Sequence, residues 1–360
     1  MSAASSSISS GTGPYQLCLI RERAQWNKFV QGHPYGHVLQ SWEWGEFKAH
    51  SGWFPLRAAL RQAETGRIVA AAQILRRGVP HVPLQAGHFA YLPKGPVLDW
   101  AQPASGHLCH IFLTQLDALL QQQGAIALRI EPVLPVGTPE SAPAVALLTD
   151  WSTYTVSPLQ PLRTIILDLS PDEEMLLARM KEKWRYNVRL AARKGVTVRV
   201  ANSSDDVRAW YELLRVTSER DHFGIHTLDY YLQAWRHLNS AGWADLLLAE
   251  YQGQLLAGIF VTSFGAEAIY LYGASSNEQR HLMPNYLLQW EAIRRARRVG
   301  AARYDLWGIP ASDDEEEAMA GVYRFKRGWG GKIVTFVGAF EKTYHPFAMQ
   351  LARRWFPLTS

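Results

Sequence analysis

The chain has 360 residues, 48% of them hydrophobic and 19% charged. At roughly 100–200 residues per domain, two domains are expected, and the composition excludes an intrinsically disordered chain. The net charge of +5 permits an anionic partner without requiring one, and no unbroken apolar run of about 18 residues offers a membrane-spanning helix.

Residues 1–13 (MSAASSSISSGTG) carry no charged side chain. They lack the basic start and apolar core of a secretory signal, which predicts a disordered tail on a cytoplasmic protein. Cys18 and Cys109 are the only cysteines, and no CxxC is present for zinc. Both are expected as small buried hydrophobes.

Residues 53–131 read as strand, strand, strand, helix, strand. WFPLRAALR and RIVAAAQIL flank a turn at Ala63-Glu64-Thr65-Gly66, and HFAYLPKGPVL is a third strand. Residues 106–123 place Leu108, Ile111, Phe112, Leu116, Leu119 and Leu120 at helical spacing, with Gly124 as the stop. AIALRIEP follows as a strand. The same order returns as ADLLLAEY, LLAGIFVTSF, EAIYLYGASS, a helix from Pro284 to Val299, and ARYDLWGIP. Both copies carry a tyrosine on the third strand (Tyr91, Tyr270) and end their helix in Gly-Ala. This repetition predicts an α/β protein with two similar tandem domains, each a mixed central sheet flanked by helices. The stretch 132–162, with six prolines, reads as the connection between them.

Residues 172–194 predict one helix, with Ser170 as cap, Pro171 in the first turn and Asp172, Glu173 and Glu174 at its positive end. The charge then reverses: from Arg179 to Arg199 there are eight basic residues against Glu182 alone. Lys181, Arg185, Arg189 and Arg193 recur every four residues as a slowly drifting stripe, while Met180, Trp184, Val188 and Ala191 take another side. A solvated face is the plain account. A phosphate site for a nucleotide, a pyrophosphate or an RNA backbone is the sharper one.

Other chemistries find no support. GxxxxGK[ST], GxGxxG after a strand, HExxH and GxSxG are all absent. His222 with His226, and His107 with Cys109 and His110, lack a further metal ligand. The acidic run 313–317 reads as a solvated loop. GVYRFKRGWGGK at 321–332 reads either as a β-hairpin or as a surface where Tyr323, Phe325 and Trp329 stack on a base.

Several segments together are similar to the Fem family of peptidoglycan bridge-forming aminoacyltransferases. They are QSWEWGEFK (40–48), KWRYNVRLA (183–191) with RKGV (193–196), SERD (218–221), YLYG (270–273), PNYLLQW (284–290), YDLWG (304–308) and GVYRFKRG (321–328). The resemblance implies two domains like GCN5-related N-acyltransferases, at 14–160 and 161–333, the first open to completion by 334–360. It implies transfer of an amino acid from aminoacyl-tRNA to the side-chain amine of a diamino acid in a peptidoglycan precursor. The precursor is lipid-linked or UDP-linked, so peripheral contact with the inner membrane surface is compatible. By the same resemblance Lys48 and Arg220 hold phosphates of that precursor, Lys326 handles the aminoacyl-tRNA end, and Tyr270 and Tyr272 line the acceptor site. The long coiled-coil arm of some members has no room between Tyr230 and Gly253, so the chain resembles the compact, arm-less members. The stripe Lys181, Arg185, Arg189 and Arg193 is the substitute for tRNA contact.

An aminoacyl ester is already activated, so no cofactor, ATP or metal is expected beyond aminoacyl-tRNA as co-substrate. Asp99 and Asp305 follow strand-like segments and are the candidate bases. A CoA-dependent N-acyltransferase is the alternative enzyme, disfavoured because Asn277–Met283 holds no glycine for a pyrophosphate loop. A non-catalytic binder of tRNA or muropeptide is the alternative from another class.

Overall fold

The computed structural model describes residues 13–79, 82–312 and 320–355, the last four by backbone alone. The tail expected at 1–13 (but for Gly13) and the acidic run 313–317 lie outside the described residues. The chain divides into two compact units, Met1–Leu162 with Thr335–Ser360, and Arg163–Val334. No helix among the described residues is long and apolar enough to cross a membrane.

The first unit is built on one mixed sheet, ordered Tyr15–Leu19, Phe54–Gln62, Ile68–Gly78, His88–Pro93, Ala125–Glu131, Ala339–Thr343, Tyr154–Val156. His88–Pro93 and Ala125–Glu131 run parallel, and the helix Ser105–Gln122 connects them. That helix buries Leu108, Phe112, Leu116 and Leu120 in the core formed with the sheet. The segment HFAYLPKGPVL is two strands rather than one: the ladder with Ala125–Glu131 ends at Pro93, and Val97–Leu98 resumes pairing further along Ile68–Gly78, at Ala70 and Ala71. Lys94 takes a left-handed backbone, and Pro96 has no N–H for a ladder.

The stretch 132–162, read as a connection, instead supplies the helix Ser141–Trp151 and the strand Tyr154–Val156 to the first unit. Pro143 falls in that helix's first turn, where its missing N–H costs nothing. The C-terminal strand Ala339–Thr343 returns to the first sheet between Ala125–Glu131 and Tyr154–Val156. It is pinned by a buried ion pair: Arg129 donates from Nε and Nη2 to Glu341 Oε2 at 3.0 and 2.7 Å.

The second unit has a seven-stranded sheet, ordered Lys332–Thr335, Arg163–Asp168, Arg303–Gly308, Glu267–Ser275, Gln254–Phe264, Ala244–Tyr251, Thr197–Val200. Its parallel pair, Glu267–Ser275 and Arg303–Gly308, is linked by the helix Pro284–Arg298, which has Pro at its first position. This pair behaves differently from its counterpart. In the first unit the parallel ladder runs from His88/Ala125 to Pro93/Glu131. In the second it stops after Glu267/Arg303, Ala268/Tyr304 and Ile269/Asp305, although both strands continue. Each strand carries an irregularity just past that point, opposite Phe260/Val261 on one and between Asp305 and Gly308 on the other. Bulges bend the strand that holds them, so the two strands part.

The basic segment is two helices, Glu173–Arg179 and Glu182–Arg193, not one. Asp172, not Ser170, caps the first, accepting from Met175 N. Met180 is extended, and Arg185 turns back to satisfy the carbonyls left at the break, donating to Leu177, Ala178 and Met180 O at 3.3, 2.9 and 2.8 Å.

Arg129→Met should destabilise the first unit by about 3–5 kcal/mol, because the buried Glu341 carboxylate loses both guanidinium hydrogen bonds. Arg129→Met with Glu341→Leu should recover much of that loss in urea denaturation. A single variant as stable as wild type would show that the pair does not secure the C-terminal strand.

Candidate acyl-transfer site

The helix Ala320–Arg327 and the turn after it occupy the segment that sequence read as a hairpin or a base-stacking surface. Ala320, Tyr323 and Lys326 lie on its buried side, at helical spacing. Tyr323 and Trp329 belong to the core and Phe325 packs against it, so these rings are not laid open for a base. Trp184 Nε1 donates to Phe325 O at 2.9 Å, and its indole covers Gly328 so closely that a Cβ there would collide with the ring.

Lys326 is thus an ammonium in a core position. It stands where the parallel ladder would have continued. Its Nζ donates to Gly308 O at 2.7 Å on one strand and lies 5.6 Å from the Tyr270 ring centre on the other. Burial pulls its pKa down to about 8, against the opposing pull of Asp305. Asp305 is itself buried, and Thr164 Oγ1 and Trp307 N donate to its Oδ1, the latter at 2.7 Å. Trp307 has a φ of 62°, unusual for a bulky residue. The carboxylate therefore holds the turn that presents Gly308 O to Lys326, the work of a positioning group.

The two tyrosines predicted to line the acceptor site have different surroundings. Tyr270 is folded under Gly273, where a Cβ would collide with its hydroxyl, and burial raises its pKa to about 12. Tyr272 sets its hydroxyl 3.3 Å from that of Tyr230 and meets Tyr231 edge-on at 5.1 Å. Tyr230 in turn stacks on His226 at 3.9 Å. Sequence reasoning missed Tyr230 and His226 as partners of this strand. They lie around Thr227, the cap of the helix Leu228–Ser240, and no spacing ties them to Tyr272.

Arg220 ends the helix Ser204–Asp221 and clasps the end of the same strand. It donates to Ser275 O at 3.1 Å, Asn277 Oδ1 at 3.0 Å and Ser275 Oγ at 3.3 Å. Asp221 accepts from it twice at 2.9 Å and keeps the guanidinium charged. Tyr270, Tyr272, Arg220 and Lys326 are therefore gathered along the half of Glu267–Ser275 beyond the point of parting. The stripe is divided. Arg185 is engaged with backbone carbonyls, Lys181 lies 5.8 Å from the Trp184 ring, and Arg189 and Arg193 are exposed.

Lys48 and Asp99 belong to the first unit. Around Lys48 the motif QSWEWGEFK is mostly scaffold. Gln40 donates to Pro93 O at 2.6 Å and accepts from Gln73 N at 2.7 Å, and Ser41 caps the helix Trp42–Ala49. Arg57 spans Gln73, Trp42 O and Glu46 at 2.8–2.9 Å, and Gly45 leaves the room these side chains need. Lys48 ends that helix near the rings of Trp44 and Phe47, its pKa lowered to about 8 by burial and by Arg77. Asp99 accepts from Gln102 Nε2 at 2.7 Å and Ala101 N at 3.3 Å, which makes it a turn residue. Among the described residues no His, Cys, Asp and Glu cluster could hold a metal.

Two mixed sheets flanked by helices, each with a parallel pair joined by a helix, are the fold of tandem GCN5-related N-acyltransferase-like domains. Residues 22–143, 150–252 and 242–354 match the FemAB family, and the chain belongs to it. It is accordingly a tRNA-dependent aminoacyltransferase of peptidoglycan bridge synthesis. The lipid II:glycine glycyltransferase of Staphylococcus saprophyticus is 25% identical over 385 residues, covering 87% of this chain and 89% of that protein. The crystal structure of FemX aligns at a TM-score of 0.82 and 23% identity, covering 92% of this chain and 98% of that one. A tandem GNAT protein of the clavulanic acid pathway aligns at 0.54 and 13% identity, covering 91% and 98%, and shares the fold.

Lys326→Met should lower kcat/KM for aminoacyl transfer roughly 10²–10³-fold, the usual cost of losing one preorganised donor. Thermal stability should fall by at most about 1–3 kcal/mol, because Gly308 O loses its donor while a buried charge is removed. Wild-type activity that uses the ammonium should decline as pH rises through about 8. Stability should move the other way. Lys326 titrates below its ordinary 10.5, so between about 8 and 10.5 the unfolded chain binds more protons and stability climbs with pH. Lys48 contributes with the same sign, so the variant should flatten that slope without abolishing it.

Asp305→Asn keeps an acceptor for Trp307 but removes the charge that favours the ammonium. The decline in activity should then begin at lower pH. A pH–rate profile identical to wild type would separate Asp305 from Lys326.

Proposed function

We propose that this enzyme joins the aminoacyl group of a charged tRNA to the side-chain amine of the diamino acid in a peptidoglycan precursor. The acyl-transfer centre in this reading is the parted strand pair of the second unit. The observation that carries it is Lys326, a buried ammonium between Gly308 O and the Tyr270 ring.

The chemistry follows from the ester. The acceptor nitrogen attacks the aminoacyl carbonyl, a C–N bond forms, the C–O bond to the ribose breaks, and the proton lost by the nitrogen ends on the ribose oxygen, which leaves as a hydroxyl. Negative charge gathers on the carbonyl oxygen and then on the leaving ribose oxygen. A fixed positive charge in a site shielded from water stabilises both without rearranging. The ammonium also counters protonation of the incoming amine, since two positive charges close together disfavour each other. Positioning supplies much of the remaining acceleration. By the family resemblance Tyr270 and Tyr272, the latter with Tyr230 beside it, are assigned to the acceptor site, and Arg220 and Lys48 to the precursor's phosphates. The glycyltransferase of S. saprophyticus carries lipid II in its name. That likeness supports a lipid-linked acceptor, met by a cytoplasmic enzyme at the inner membrane surface.

The test is transfer itself. Purified enzyme is incubated with a panel of charged tRNAs and with lipid-linked and UDP-linked muropeptides. The expected product is a muropeptide heavier by one aminoacyl residue, with no gain when the side-chain amine is acetylated beforehand. Retained binding without any mass gain, or acyl transfer from acetyl-CoA in the absence of tRNA, would overturn the reading.

A further inference from the structure

The helix Glu182–Arg193 carries more positive charge than its surroundings neutralise. Several arginines elsewhere in the second unit are matched with acids: Arg199 with Asp206 and Glu250, Arg294 with Glu173 and Glu291, Arg295 with Asp245, Arg303 with Glu267. Among the described residues, Lys183, Arg189, Arg193 and Lys194 form no ion pair. Arg193 instead lies 6.0 Å from the ring centre of Tyr186. Tyr186 is 55% exposed, whereas Asn187, Val188 and Ala191 are buried and Trp184 packs against the core. At roughly 100° per residue, Tyr186, Arg189 and Arg193 share the solvent face, with Lys183 and Lys194 beside them. Like charges at such spacing repel, and the helix's one acid, Glu182 in its first turn, forms no ion pair with them among the described residues.

This helix is fastened to the candidate site. Lys181 N donates to Gly328 O and Trp184 Nε1 to Phe325 O, both at 2.9 Å, and the Trp184 indole is seated on Gly328. Phe325 and Gly328 lie on either side of Lys326 in the chain. The first turn of the basic helix is therefore bolted to the backbone that carries the buried ammonium. The row of cations keeps a set distance from it.

We propose that the solvent face formed by Lys183, Tyr186, Arg189, Arg193 and Lys194 holds the phosphate backbone of the tRNA acceptor arm while Lys326 meets the aminoacyl end. This rests on the transfer reaction proposed above. From Lys183 to Arg193 the row is about 15 Å long at 1.5 Å per residue, too extended for one pyrophosphate and suited to successive phosphates. Tyr186 offers a flat face to a ribose or a base. An anionic bilayer fits less well: a helix lying on a membrane turns its apolar side to the lipid, and here that side is in the core. Arg185, grouped with the stripe by spacing, is excluded because it caps the preceding helix.

Binding of fluorescently labelled, uncharged tRNA across a salt series tests this, with circular dichroism and melting curves to confirm the fold. For Lys183→Gln/Arg189→Gln/Arg193→Gln, the slope of log K against log salt should shrink by about three, one for each phosphate that no longer meets a cation. Affinity near 0.1 M salt should fall about tenfold or more. Arg208→Gln/Arg215→Gln/Arg236→Gln removes the same charge from exposed positions on the helices Ser204–Asp221 and Leu228–Ser240, and should leave the slope unchanged. Tyr186→Ala should weaken binding without altering the slope, and Tyr186→Phe should restore it. Equal slopes in the two triple variants overturn the proposal. So does unchanged tRNA affinity combined with lost binding to phosphatidylglycerol vesicles, which would give the face to the membrane. RNA binding is read here apart from turnover, so its failure leaves the transfer reaction standing. Conversely, an enzyme that binds tRNA through this face but transfers nothing from it refutes the reaction and not the surface.

Discussion

The second unit depends on a ladder that stops early. After Ile269 and Asp305 the two parallel strands no longer pair. A backbone carbonyl or N–H left without a partner in a protein interior costs about 1–3 kcal/mol. Here side chains take over that work: Lys326 serves Gly308 O, and Asp305 serves Trp307 N. A charge that would be expensive to bury alone is thus retained beside the gap, with an acid nearby to favour it. The first unit shows the other outcome of the same plan. Its ladder runs through to Glu131, whose carboxylate accepts from Leu159 N, Gln160 N and Tyr91 Oη. One parallel pair is closed by hydrogen bonds, and the other is open to chemistry.

Much of the residue pattern shared with the family serves to hold a few groups still. In QSWEWGEFK, Gln40 braces two strands, Gly45 makes room and Glu46 anchors Arg57, so that Lys48 is carried on a rigid turn of helix. In KWRYN, Trp184 is the bolt to Gly328, and Arg185 repairs a helix break. Side chains outside the candidate site thus hold its groups in place, as a site within tight positional tolerance requires.

Periodicity and turn chemistry made the repeated strand–strand–strand–helix–strand order legible, because alternation and helical spacing are local properties. The errors came where distant residues intervene. Met180 breaks a helix that spacing alone would continue, because Arg185 satisfies the freed carbonyls. The proline-bearing stretch 132–162 joins the first unit because a returning strand gives Tyr154–Val156 a neighbour. The aromatics of 321–332 turned inward because the segment is helical and Trp184 covers its end.

The sequence by itself determined the two-domain α/β plan, the family, and Lys326, Lys48, Arg220 and the tyrosines as the groups to watch. The plan follows from residue type and short-range spacing, and the family and the groups to watch follow from the resemblance of the motifs. Only the tertiary structure decided which parallel pair parts, that Asp305 accepts from Thr164 and Trp307 N beside Lys326, that Tyr230 and His226 join Tyr272, and which cations of the basic helix remain unmatched. Each of those depends on a contact between residues far apart in the chain, and a bulge, a buried charge or an unpaired cation has no signature until its neighbours are in place.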